Sequence, residues 1–340
     1  MKKYSIVIFA LLFSIIVQAQ PGISSFSPAA GPAGTTVTIT GTNFSTTPAD
    51  NIVFFGAVKA AVSAATSTTL TVTAPLGASY QPISVTTGGL TAFSQRPFVM
   101  TFAGGGTITA SSFGPHIDSS AALNPYTITT SDIDGDGNPD LLTANKDSNS
   151  VSILVNTTAG GAVSFAYRVN LACTFSPYAV HTADWDNDGK QDIAVTTFNG
   201  FSLFRNTSTP GSLSFEPRVD IATNILGFMR DITSGDFDGD GKTDIAISDQ
   251  QFSPVAGIIS VYRNTSTPGS ISFAPRTTLT SNTVNANSGI FCIRASDLDG
   301  DGKTDLAFTY NTSFYAALRN TSTPGNLIFN PALADMPLTP

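Results

Sequence analysis

Glutamate is almost missing from this chain: of 24 acidic residues only Glu216 is one. Long helix-forming stretches are missing with it, while Gly, Thr, Ser and Asn are plentiful, so the composition favours strands and turns. Cysteine occurs twice, at Cys173 and Cys292, which excludes a disulfide-dense scaffold. His116 and His181 are the two histidines; neither has a nucleophile or metal partner in register, so both read as structural or surface residues. Lysine and arginine total 16 and form no stripe, which argues against nucleic-acid binding. Beyond the opening residues no apolar run is long enough to be read as a membrane span.

The opening residues break this polarity. Lys2 and Lys3 precede an apolar run from Ile6 to Val17, and Val17-Gln-Ala19 fits a small-residue cleavage site. Residues 1–19 are therefore expected to be a secretion signal, with Gln20 or Pro21 as the new start. The run is short for a bilayer span, and no cysteine follows it to carry a lipid. The expected location is secreted or cell surface. The two cysteines lie 11 residues before Asp184 and 5 before Asp297, and these non-equivalent offsets argue for two buried free thiols.

In place of glutamate the chain has aspartate, and it is concentrated. Four loops read Asp132-Ile-Asp-Gly-Asp-Gly-Asn-Pro-Asp140, Asp184-Trp-Asp-Asn-Asp-Gly-Lys-Gln-Asp192, Asp236-Phe-Asp-Gly-Asp-Gly-Lys-Thr-Asp244 and Asp297-Leu-Asp-Gly-Asp-Gly-Lys-Thr-Asp305. Each places Asp at positions 1, 3, 5 and 9 and Gly at position 6, so 16 of the 24 acids lie here. Removing Lys2 and Lys3 takes the formal charge from −8 to −10, and four divalent cations would bring it to −2. The acidity is local ligand chemistry rather than a field for basic partners.

Carboxylates this dense repel one another unless a hard cation sits among them. Calcium, which takes roughly six to eight oxygens in irregular cages, is the natural occupant. The candidate ligands are Asp132, Asp134, Asp136 and Asp140; Asp184, Asp186, Asp188 and Asp192; Asp236, Asp238, Asp240 and Asp244; and Asp297, Asp299, Asp301 and Asp305. Backbone carbonyls of Asn138, Lys190, Lys242 and Lys303 would join them at position 7. About four structural Ca²⁺ ions are expected. An EF-hand would need a bidentate Glu at position 12, where this chain has Thr143, Val195, Ile247 and Phe308. A contiguous loop that saturates its ion leaves no open position for catalysis. Position 2 is always apolar (Ile133, Trp185, Phe237, Leu298), so it is expected to pack beneath the loop rather than to offer Trp185 to a sugar.

Residues 21–102 form one unit. Short β-rich runs are punctuated by Pro and Gly: Thr35–Thr40, Asn51–Phe55, Thr69–Thr73, Ile83–Thr86 and Pro97–Phe102. Their alternation reads as a small antiparallel sandwich. The opening Pro21-Gly-Ile-Ser-Ser-Phe-Ser-Pro28, then Gly31-Pro-Ala-Gly34 and Val37-Thr-Ile-Thr-Gly41-Thr-Asn-Phe44, resembles the IPT/TIG family of immunoglobulin-like domains. The resemblance implies a spacer or binding module and carries no catalytic residue.

From Gly104 to Pro340 the chain repeats. First aspartates of successive loops are 52, 52 and 61 residues apart. Arg205-Asn-Thr-Ser-Thr-Pro-Gly-Ser212, Arg263-Asn-Thr-Ser-Thr-Pro-Gly-Ser270 and Arg319-Asn-Thr-Ser-Thr-Pro-Gly-Asn326 recur, and Pro-Gly suits a type II turn. The arginines are expected to stabilise carbonyls or Asp. The second repeat divides into strands Tyr178–Ala183, Asp192–Thr197, Phe201–Arg205 and Leu213–Ile221, the four strands of a propeller blade. The repeats resemble FG-GAP/VCBS repeats, known from integrin α-chain propellers and secreted bacterial proteins. Phe113, Phe165, Phe215, Phe273 and Phe329 give five strand landmarks against four acidic loops, so the array is expected to be an incomplete propeller, cut short after Phe329.

The expected architecture is all-β, an immunoglobulin-like sandwich followed by β-propeller blades. The expected function is a secreted or cell-surface, calcium-stabilised binding or adhesion protein that recognises an extracellular protein or polysaccharide, with no nucleic acid and no membrane span. The alternatives are a non-catalytic part of a secreted polysaccharide-degrading enzyme, such as a lyase or hydrolase with its catalytic residues elsewhere, and a structural spacer. No nucleophile–base pair, His cluster or carboxylate pair outside the loops marks an enzyme.

Overall fold

Thr36–Thr42 turns its threonines outward and sets Val37 and Ile39 inward, both fully buried, the pattern of a strand with one face in a core. A computed structural model describes this segment and the rest of the chain except residues 1–18, 103–108, 110–111, 113, 160–162, 167, 224–226, 252–256, 280–288, 311–313, 332–335 and 338–340. Nearly all of the expected signal, and the Phe113 landmark, lie outside the described residues.

The first ten strands are β1 (Gly22–Ser27), β2 (Ala30–Gly31), β3 (Thr36–Thr42), β4 (Asn51–Phe55), β5 (Val58–Ala60), β6 (Val62–Ala65), β7 (Thr69–Thr73), β8 (Pro82–Thr87), β9 (Leu90–Pro97) and β10 (Val99–Met100). Two antiparallel sheets, ordered β1-β3-β7-β6 and β5-β4-β8-β9, face each other. Between them lie Phe26, Val37, Ile39, Val53, Phe55, Leu70, Val72, Ile83 and Val85, and Phe98 packs edge-on against Phe55 at 5.4 Å. The runs expected at Asn51–Phe55 and Thr69–Thr73 are strands with those bounds.

Pro97–Phe102 corrects the expectation: Pro97 ends β9, and beyond it only Val99–Met100 is a strand, paired in parallel with β2. The edge strand is β9 instead. Its buried residues include polar Thr91 and Ser94, whose hydroxyls bond Thr86 Oγ1 and the Ile83 amide, each at 2.8 Å. Cross-strand hydrogen bonds satisfy them, so burial there leaves no apolar signature.

Four antiparallel sheets follow, three of four strands and the last of five. Blade 1 is β11 (Pro125–Ser131), β12 (Asp140–Asn145), β13 (Ser150–Leu154) and β14 (Val169–Ala172). Blade 2 is β15 (Val180–Ala183), β16 (Asp192–Thr197), β17 (Gly200–Phe204) and β18 (Val219–Ala222). Blade 3 is β19 (Gly227–Gly235), β20 (Asp244–Gln251), β21 (Gly257–Tyr262) and β22 (Thr277–Leu279). Blade 4 is β23 (Ile290–Ser296), β24 (Asp305–Tyr310), β25 (Phe314–Asn320) and β26 (Phe329–Pro331), with β27 (Met336–Pro337) also on β25. The fold is all-β, a sandwich followed by propeller blades.

First strands of neighbouring blades pack together, β11 on β15, β15 on β19 and β19 on β23, so these are the inner strands. The last strand of blade 2 begins at Val219 rather than Leu213. Pro217 has no N–H for a ladder, and Phe215 makes only an isolated bridge to Asn206. Gly211, Gly269 and Gly325 take φ of 78°, 85° and 79°, as a type II turn after Pro demands.

Candidate metal centres

Each acidic loop leaves the inner strand of a blade and enters its second strand. The folding of the loop is local and repeats four times. The first Asp accepts the amide of the position-6 glycine, at 3.0, 2.8, 2.9 and 2.9 Å in loops 1 to 4. The Asp at position 5 accepts the amide at position 7, between 2.7 and 3.0 Å. Two residues per loop are left-handed: position 6 and also position 4, where Gly135, Asn187, Gly239 and Gly300 have φ between 58° and 79°. Asn is the side-chain-bearing residue that best tolerates this region. Position 4 carries this requirement as well as position 6, a role the sequence reading had not assigned.

The Asp at position 9 is a latch. One oxygen of Asp140, Asp192, Asp244 and Asp305 accepts the amide at position 2 (2.9, 3.1, 2.9 and 2.8 Å). The other accepts the amide of Asn156, Asn206, Asn264 or Asn320 on the third strand or just beyond it (2.7–2.8 Å). All four aspartates are buried.

Carboxylate oxygens then converge. Those of Asp132, Asp134 and Asp136 lie within 4.8 Å of one another, as do those of Asp184, Asp186 and Asp192, of Asp236, Asp238 and Asp244, and of Asp297, Asp299 and Asp305. Burial, reinforced by neighbouring carboxylates, pushes Asp132 and Asp236 up to about 6, Asp140 and Asp184 to about 7, and Asp192 and Asp244 to about 8. Asp132 Oδ1 and Asp238 Oδ2 are buried with no hydrogen-bond partner. Orphaned carboxylate oxygens in an all-oxygen cluster suit a hard cation, so each cluster could hold a metal ion. At position 7, the Lys242 and Lys303 ammonium groups turn to the carbonyls of Ser266 (2.7 Å) and Ser322 (2.9 Å).

The arginine series reaches the same loops. Arg205 bonds Asp186 (2.5 Å), Asp188 (2.6 Å) and Glu216 (2.8 Å). Arg319 bonds Asp299 and Asp301, whereas Arg263 stands 3.6 Å from Asp238. Blade 1 has Val155 at this position, so loop 1 has no guanidinium of this series to offset its charge.

Neighbouring blades are tied through the loops. Ile133 packs with Ile193 and Phe204 of blade 2, Trp185 with Ile232 and Ile245 of blade 3, and Phe237 with Ile293 and Leu306 of blade 4. These three are at most 1% exposed, as expected for packing residues, while Leu298 is 53% exposed with no further blade over it among the described residues. The asparagine after each arginine was another unassigned role. Asn206, Asn264 and Asn320 donate to the position-2 carbonyl of the preceding blade (Ile133, Trp185 and Phe237) at 2.8–2.9 Å. Its recurrence beside the arginine was the available signal.

The N-terminal sandwich sits on this loop end. Asn187 Nδ2 donates to the Gly89 carbonyl (2.8 Å), Gln20 Nε2 to Asp236 (3.2 Å), and the Thr91 amide to the Gly241 carbonyl. Gly77 abuts Pro139 of loop 1. A cleft of about 340 Å³ remains between Gln20, Thr91 and Phe93 and the loops of blades 3 and 4.

His181 and the cysteines lie elsewhere. His181 is half-buried between inner strands with Nε2 2.8 Å from Ser234 Oγ, and desolvation pushes it down to about 4, so it is neutral at physiological pH. Nearby Asp231 is engaged by the Ile232 and Ile293 amides and by Arg294, not by the imidazole. His116 is exposed beside Asp118 at 3.5 Å. Both cysteines are free thiols, but only Cys173 is buried as expected; Cys292, on the inner strand β23, is half-buried.

No curated protein matches the chain in sequence. Among solved structures, it is similar to an auxiliary nutrient binding protein from Bacteroides thetaiotaomicron VPI-5482, with 11% identity, 92% of this chain and 85% of that one covered, and a TM-score of 0.31. It is also similar to a Bacillus licheniformis rhamnogalacturonan lyase (15%, 87% and 59%, 0.37). A third likeness is to an Agrocybe aegerita lectin whose structure concerns recognition of non-reducing terminal N-acetylglucosamine (14%, 85% and 79%, 0.37). Among the described residues no helix is long and apolar enough to cross a membrane. Family models match at residues 21–102 and at 132–195 and 184–247, so the chain carries an IPT/TIG domain followed by FG-GAP-like repeats.

Proposed function

We propose that this chain is a secreted or cell-surface binding protein, stabilised by calcium, whose blades engage an extracellular polysaccharide or protein. The observation that carries the reading is the contrast between a loop end against which the N-terminal sandwich lies and an opposite end where, among the described residues, Tyr126 and Phe291 are about half exposed. In the loops both oxygens of each position-9 aspartate are held by amides, and the N-terminal sandwich lies against loops 1, 2 and 3. Catalysis at an ion would need an open coordination position, whereas on this reading each contiguous loop saturates its own ion. A structural ion would supply charge that holds four carboxylates together. Asp at positions 1, 3, 5 and 9 and the position-7 carbonyl would hold it.

His181 and Ser234 do not make a catalytic pair on this reading. A triad orients its histidine through a carboxylate on the other ring nitrogen, and Asp231 is committed to amides and Arg294.

The test is a glycan and protein array probed with the calcium-loaded full chain. Saturable binding to one class is expected. Binding to neither favours a spacer, and turnover of a bound polysaccharide would overturn the non-enzymatic reading. Asp236→Ala should lower the calcium count in native mass spectrometry by one, leaving the other loops loaded; an unchanged count would remove Asp236 from the ligands.

A further inference from the structure

The inner strands end, away from the acidic loops, in aromatic rings and cations drawn from all four blades. Tyr126 lies at the start of β11, Tyr178 just ahead of β15, Phe228 and Arg230 at the start of β19, and Phe291 at the start of β23. The rings touch in series: Tyr126 meets Tyr178 edge-on at 5.3 Å, and Tyr178 meets Phe228 at 5.0 Å. Lys146 Nζ is 5.0 Å from the Tyr178 ring and 5.9 Å from that of Tyr126. The Arg230 guanidinium is 5.1 Å from Tyr178, 4.8 Å from Phe228 and 5.8 Å from Phe291. Two cations therefore flank one ring, at most about 10 Å apart. Tyr178 is buried, but Tyr126 is 50% and Phe291 45% exposed.

Neither cation has a carboxylate at ion-pair distance among the described residues. Arg230 gives Nε and Nη2 to Gln250 Oε1 at 2.8 and 2.6 Å. A neutral amide fixes the guanidinium without offsetting its charge and leaves Nη1 unengaged among the described residues. This chain holds 24 acids against 16 bases, yet among the described residues these two half-buried cations form no ion pair. Such cations are most stable when an anion from outside completes them.

We propose that this end of the blades binds an acidic polysaccharide, with sugar rings laid on Tyr126 and Phe291 and uronate-type carboxylates met by Lys146 and Arg230. The proposal rests on the binding-protein reading and names the ligand class. A polymer of acidic sugars alternates apolar ring faces with carboxylates, as this surface alternates rings with cations. A neutral glycan would leave both cations uncompleted. An acidic peptide would complete them without presenting a ring face to each aromatic.

The experiment is calorimetric titration of the calcium-loaded full chain, free calcium removed, with oligogalacturonate, its methyl ester and a neutral galactan oligomer. Oligogalacturonate should bind, the other two at least tenfold more weakly, and affinity should fall with salt. Lys146→Gln and Tyr126→Ala should each weaken binding about tenfold, the scale of one charge-assisted hydrogen bond or one stacked ring, with melting temperature unchanged. Equal affinity for acid and ester, or full affinity in the Lys146→Gln/Tyr126→Ala double variant, overturns the proposal. Binding on arrays to neutral glycans or proteins alone overturns it too, while sparing the binding-protein reading. Binding to nothing on any array fails both.

Discussion

The two ends of the blades solve opposite electrostatic problems. At the loop end, sixteen aspartates crowd into four turns, and the fold answers with backbone amides, arginines and, on our reading, cations. At the other end, Lys146 and Arg230 stand among aromatic rings with no ion-pair partner among the described residues. The loop end is also covered, since the N-terminal sandwich touches loops 1, 2 and 3. The contrast teaches that the most conspicuous motif of a chain can be its frame, while its working surface is built from residues that form no motif.

The largest test of this contrast removes the ion. If the loop end is the frame, chelation should lower the melting temperature markedly. An ion held at a hundred times its dissociation constant stabilises by about 2.7 kcal/mol per site. Calorimetry showing one transition with and without chelator would break the contrast at its base.

A second test uses pH. Asp140, Asp184, Asp192 and Asp244 are raised to between about 7 and about 8 by burial. A carboxyl whose folded pKa lies above its unfolded value contributes stability below the unfolded value and loses it as pH rises through the folded one. Chelated protein should therefore lose stability between about pH 4 and pH 8. Calcium-loaded protein should lose much less, because the ion favours the ionised carboxylates. Parallel pH profiles of the two forms would separate the ion from these groups.

Asn264→Ala should cost about 1–3 kcal/mol, since it leaves the buried Trp185 and Thr243 carbonyls without their donor. Urea unfolding would read this. A cost near zero would mean that the blades are held by apolar packing alone. Smallest in stability should be Tyr126→Ala, within about 0.5 kcal/mol because the ring is half exposed. A large loss of stability there would make the aromatic end part of the frame as well.

Much of the molecule was legible in its residues. The loops were readable because Asp at alternate positions, a turn-permitting Gly and the next strand are contiguous, and contiguous chemistry dictates its own geometry. The burial of Ile133, Trp185 and Phe237 followed from one apolar slot repeated in register. Strand β9 was missed because hydrogen-bonded Thr91 and Ser94 fill inward positions that a period-two reading expects to be apolar. The bridging role of Asn206, Asn264 and Asn320 was missed because each partner lies one whole repeat away.

The sequence by itself determined the strand-and-turn composition, the blade period and the four acidic loops. These depend on neighbours along the chain, where propensity, turn chemistry and charge density act without help. Only the tertiary structure decided which end of the blades the sandwich covers, which arginines reach which loops, and that Tyr126, Lys146, Tyr178, Arg230 and Phe291 meet. Those residues come from four blades, and nothing in local chemistry draws them together. Stacking of the inner strands does, by packing apolar faces whose register also sets what gathers at each end.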